Sequence, residues 1–159
     1  DALADAAREV IDMGFQVGLH TAGPYPRRLH DMIAAGLVSW VGLDIKALPE
    51  HYGQVVGRAN AAARAWESLE VLIEAAGRGG PDFEVRTTVV PGDVTADDAV
   101  EVARRVHAAG ARVYALQQAR SEGTSGEFDV VAPGWDGACE RMAERIEALG
   151  WDRFTYRPA

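Results

Sequence analysis

Cysteine occurs once in these 159 residues, at position 139, which excludes an internal disulfide framework and any multi-cysteine metal site assembled from this chain alone. No run of eighteen or more apolar residues is present, so no membrane-spanning helix is expected. Basic residues are scarce: sixteen Lys and Arg stand against twenty-four Asp and Glu, a net charge of -8. That balance disfavours nucleic acid and anionic membranes as partners and suits a cytoplasmic protein. A P-loop, a GxGxxG turn, an HExxH pair and a GxSxG elbow are all missing, so the common nucleotide-binding and hydrolase signatures do not apply. The basic-then-apolar pattern of a secretion signal is also lacking, and the chain opens without Met on DALADAAREV, already helix-like. A piece of a longer protein is the expectation.

What is present is a globular composition, 48% hydrophobic, in a chain long enough for one domain with a real core over residues 1–159. Residues 1–13 place Leu3, Ala6, Ala7, Val10 and Ile11 on one helical face before Gly14. FQVGLHT at 15–21 then reads as a strand. The alternation repeats, with helices expected at 27–35, 59–76, 96–109 and 136–149, and strands at 38–45, 83–90 and 112–117. Thr95 with Asp98 resembles a capping box opening the fourth helix. Residues 118–134, rich in Gly and Ser, read as a long surface loop, and a short FTYR finishes the chain. Trp66, Trp135 and Trp151 read as packing residues, and Cys139 as a core residue of the last helix. Four strands alternating with helices predict an α/β fold with a parallel sheet, because parallel neighbours need a crossover connection.

In such sheets ligands lie at the carboxyl ends of the strands. Those ends carry His20 and Thr21; Asp44, Ile45 and Lys46; Pro91 and Gly92, with Arg86 and Thr88 along the strand; and Gln117, Gln118 and Arg120. Strand alternation puts Asp44 and Lys46 on one face with Ile45 opposite. Inward-facing, the two charges must pair or meet a ligand, and a zwitterion would suit them; the alternative is an ion pair that closes the strand end. Arg86, between Val85 and Thr87, reads either as an inward guanidinium able to hold a carboxylate or as a solvated edge residue. His20 reads as a ligand contact, a proton carrier or a satisfied buried imidazole. His30, His51 and His107 read as surface residues without a role.

GLHTAG at 18–23, WVGLDIKA at 40–47, YGQVVG at 52–57, EVRTTVVPG at 84–92 and LQQARSEGT at 116–124, taken in order, resemble the later strands of radical-SAM activating proteins. The branch they are most similar to activates anaerobic ribonucleoside-triphosphate reductase and is related to pyruvate formate-lyase activase. The resemblance implies part of a (β/α)6 partial TIM barrel, with a 4Fe-4S cluster and an electron donor such as flavodoxin. It implies reductive cleavage of S-adenosylmethionine and abstraction of hydrogen from a glycine of a partner glycyl-radical enzyme.

By residue, the resemblance implies Lys46 on the methionyl carboxylate, Asp44 near the cofactor and a monovalent cation, and Arg86 facing the same cavity. It puts the Thr21 carbonyl beside the cation, and Gln117, at the end of the fourth strand, is a further candidate for cofactor binding. His20 stands where the activase branch carries an aspartate. The CxxxCxxC cluster loop and a Gly-Gly-Glu stretch are absent and belong upstream, so the chain by itself is expected neither to hold the cluster nor to be active. A cluster-free α/β binding or scaffold module is the alternative reading.

Overall fold

The structure is a computed structural model that describes residues 2–58, 60–120 and 132–159. Its elements in chain order are α1 (Ala2–Asp12), β1 (Gly18–Thr21), α2 (Pro26–Ala34), β2 (Trp40–Asp44), α3 (Tyr52–Val56) and α4 (Ala61–Ala76). They continue with β3 (Asp82–Val89), α5 (Val94–Ala109), β4 (Val113–Gln118), α6 (Trp135–Glu147) and β5 (Arg153–Arg157). All five strands join one parallel sheet in the order β1-β2-β3-β4-β5. The expected α/β class is therefore present.

The strand count differs from expectation, five instead of four. The terminal FTYR is β5, paired in parallel with β4 from Val113↔Arg153 to Gln117↔Arg157. Its sequence hides it, because Arg153, Thr155 and Arg157 alternate with Phe154 and Tyr156 and give no apolar run. The expected surface loop at 118–134 lies largely outside the described residues, while Gln118 belongs to β4. One short helix, α3, was also not anticipated.

Strand order in sequence, without a reversal point, is the winding of a barrel wall; a doubly wound sheet would reverse midway. With right-handed crossovers such a sheet carries its helices on one face. The burial pattern agrees. Val41, Leu43 and Ile45 of β2 and its extension, Val85, Thr87 and Val89 of β3, and Tyr114 and Leu116 of β4 all point to that side and are fully buried. They pack with Ala65, Leu69 and Leu72 of α4, Val102, Ala103 and Val106 of α5, and Cys139 and Ile146 of α6. Trp66, Trp135 and Trp151 pack against this core as expected, Trp151 stacking on Tyr114 with ring centroids 4.7 Å apart.

The opposite, concave face is polar. It carries His20 from β1, Asp44 and Lys46 from β2, Glu84, Arg86 and Thr88 from β3, Gln117 from β4 and Arg157 from β5. Two local details differ from the sequence reading. The N-cap of α5 is Asp93, whose carboxylate accepts from the Thr95 amide at 2.8 Å, and Thr95 instead accepts from the Val90 amide. In α1 only Ala7 of the expected apolar face is buried. Among the described residues no helix is long and apolar enough to cross a membrane.

Candidate functional site

Parallel register sets Asp44 directly beside Arg86, and His20 beside Gly42. Arg86 therefore lies flat across β2. Its Nε donates to Asp44 Oδ1 at 2.9 Å, while Nη2 stands 2.8 Å from the same oxygen and donates to the Gly42 carbonyl at 3.3 Å. Its Nη1 donates to His20 Nδ1. A guanidinium has only donors, so that imidazole nitrogen accepts and the ring proton sits on Nε2. His20 in turn meets the edge of Trp40, centroids 5.2 Å apart.

Gly42 makes this stacking possible. A Cβ there would lie 2.9 Å from Arg86 Cζ and 2.7 Å from the Trp40 ring, closer than carbon atoms approach. Only a residue without a side chain lets the guanidinium rest on the strand.

Lys46 is held differently. Its ammonium stands 3.8 Å from Asp44 Oδ2, the oxygen Arg86 leaves open, and its side chain is 35% exposed. The main chain around it is pinned from three sides. Ile45 donates its amide to the Arg86 carbonyl at 2.9 Å, and its own carbonyl accepts from Thr87 Oγ1 at 2.7 Å. Tyr114 donates its hydroxyl to Thr87 Oγ1 at 2.6 Å. The Lys46 amide points to the Tyr52 hydroxyl at 3.5 Å, and the Leu48 amide donates to the buried Asp98 carboxylate at 2.9 Å. Burial pushes the Tyr114 and Tyr52 phenols up from their ordinary values, so both stay protonated and able to serve these contacts.

The structure thus gathers His20, Asp44, Lys46 and Arg86 in one place. Gln117 occupies the same face in a separate cluster: its amide donates to Thr88 Oγ1 at 3.3 Å, and its carbonyl accepts from Arg157 Nη1 at 2.7 Å. Arg157 also holds the buried Glu84 carboxylate at 2.9 and 3.1 Å. Thr21 points away by strand alternation, and its hydroxyl accepts from the Gly23 amide at 3.0 Å. Arg86 is engaged with Asp44, His20 and Gly42, which leaves Lys46 as the more loosely paired cation of the group.

Sequence reading passed over Gly42, Tyr52, Thr87, Asp98, Tyr114 and the Glu84–Arg157 pair, all support for the charged residues. His51, read as a surface residue without a role, donates from Nδ1 to Asp98 Oδ1 at 2.9 Å while keeping 39% of its side chain exposed. The Asp98 signal was present, since an acid in the second turn of an apolar-faced helix invites a search for a partner, but that partner is nearly fifty residues away.

Cys139 is buried, as expected, and burial pushes its thiol up. Among the described residues no three His, Cys, Asp or Glu side chains converge as a metal site. The charged cluster sets an ammonium beside a carboxylate, and one cysteine cannot supply the three thiolates that an iron-sulfur cluster requires.

No family model matches the chain. Over 118 residues, 74% of this chain and 48% of its relative, it is 26% identical to a protein of Methanocaldococcus jannaschii provisionally named a glycyl-radical enzyme activating enzyme. The chain thus spans about half the length of the curated relative it matches, and its similarity is to a protein of that general kind.

Proposed function

We propose that this chain is the carboxyl-terminal, cofactor-side wall of a radical-SAM activase for a glycyl-radical enzyme, of the type that serves anaerobic ribonucleotide reductase. In this reading residues 1–159 form one domain of a longer protein and are inactive alone. The observation that carries it is the unequal pairing at the end of β2. Asp44 is saturated on one oxygen by Arg86, whereas Lys46 is rigidly based, half-buried and only loosely paired.

A zwitterion fits that asymmetry. Lys46 supplies the charge for a carboxylate, and the open Asp44 oxygen supplies one for the positive end. Arg86, itself bonded to His20, holds Asp44 in place. When bound, S-adenosylmethionine supplies a carbon radical able to take hydrogen from a partner's glycine. Electron donor, cluster and partner enzyme belong to the longer protein and its complex.

Two measurements test the reading. Calorimetry of this chain with S-adenosylmethionine is expected to show weak binding that Lys46→Ala reduces at least tenfold; equal binding by the variant would remove the assignment of Lys46. The longer protein, reconstituted anaerobically with iron and sulfide, is expected to release 5'-deoxyadenosine on reduction. Failure to take up iron would end the activase reading.

A further inference from the structure

We propose that a cavity at the carboxyl ends of β1 and β2 binds a phosphorylated small molecule. The cavity holds about 580 Å³ between the turn after β1, the end of β2 and the start of α4. Its polar lining is Tyr25, Lys46, Tyr52, Arg58, Asn60 and Arg64, with no acidic residue among them.

This is anomalous for a molecule of net charge -8. Three cations share one pocket, and like charges brought together repel unless an anion joins them. Their engagement with the protein is slight. Arg64 reaches only the Pro24 carbonyl, at 3.4 Å, and Lys46 stands 3.8 Å from Asp44. Among the described residues Arg58 has no carboxylate partner. By contrast Arg8, Arg78, Arg86, Arg104, Arg105 and Arg157 each pair with an acid.

The start of α4 adds to the same field. Asn60 makes no side-chain cap bond, and no acid stands in the first turn, so the positive end of a sixteen-residue helix is left uncompensated beside Arg58 and Arg64. Two guanidiniums and one ammonium match the three oxygens and double charge of a phosphate better than a single carboxylate. The remaining wall is apolar or aromatic, from Ala22, Val56 and the two tyrosines, and the volume lies in the range of small-molecule sites. Lys46 lines this cavity and also stands 3.8 Å from Asp44, so an anion here draws on the same ammonium as the proposed cofactor site.

The inference does not depend on the cofactor reading, and one experiment separates them. Calorimetry of the chain with pyrophosphate, and with citrate as the carboxylate probe, is expected to give saturable pyrophosphate binding that outcompetes citrate. The Arg58→Ala/Arg64→Ala variant is expected to weaken pyrophosphate at least tenfold, with an unchanged melting temperature and unchanged S-adenosylmethionine binding. Arg58→Ala alone, at an exposed position, serves should the double variant melt early, and is expected to weaken pyrophosphate several-fold. Absent pyrophosphate binding, undiminished binding by the variants, or a preference for citrate would overturn the proposal.

Discussion

At the scale of single residues, the site depends on a side chain that is not there. Gly42 lets Arg86 lie against β2, and from that position Arg86 reaches Asp44, His20 and the Gly42 carbonyl together. Gly42→Ala is expected to lift the guanidinium off the strand, cost about 1–3 kcal/mol in urea unfolding as a small-to-large change in a packed place, and weaken S-adenosylmethionine binding. An unchanged unfolding midpoint would show that Arg86 swings aside freely. A second expectation concerns pH. Burial raises the Tyr114 phenol above its unfolded value, so the neutral ring stabilises the fold fully below about pH 10, and this contribution is lost as pH climbs past it and the unfolded chain ionises. Tyr114→Phe should lose stability less steeply at alkaline pH than the parent chain. Identical alkaline slopes in urea titrations would refute this.

At the scale of elements, the segment between β2 and α3 carries the site, and its neighbours hold it. Asp98 of α5 ties down Leu48 and His51 from across the fold, while Thr87 of β3 and Tyr114 of β4 anchor Ile45. Asp98→Ala leaves the Leu48 amide without its acceptor and is expected to cost about 1–3 kcal/mol. Hydrogen exchange at Leu48 should accelerate in that variant more than exchange in β4; uniform acceleration would mean that Asp98 supports the whole fold and not this segment. The capping signal at Thr95 and Asp98 marked the right helix with the wrong residues. Asp93 caps α5, which frees Asp98 for the longer-range contact. β5 escaped notice for a related reason, since one of its faces holds the charged concave wall and its alternation is polar enough to pass for a tail.

At the scale of the whole molecule, a sheet apolar toward its helices and charged toward its hollow leaves the outer side of β1 without a strand neighbour among the described residues. Val10, Ile11, Met13 and Phe15 lie nearby in the chain, Met13 and Phe15 at 70% and 66% exposure. An open parallel edge beside such apolar residues favours association. Sedimentation velocity at increasing concentration is expected to show self-association that Phe15→Lys reduces several-fold; a chain that stays monomeric throughout would contradict it.

The sequence by itself determined the α/β class, most helices and strands, and the pairing of Asp44 with Lys46 on one face, because period and alternation are local properties of the backbone. Parallel register decided the rest. It put Arg86 on Asp44, separated Gln117 into a cluster with Glu84 and Arg157, and directed Thr21 to the other face, although all had been grouped at one rim. Contacts such as Asp98 to Leu48, or Arg58 and Arg64 meeting Lys46 around one cavity, join residues whose spacing along the chain carries no periodic signal. Only folding brings them within reach of one another, because hydrogen bonds and ion pairs act over a few ångströms in space, whatever the distance in sequence.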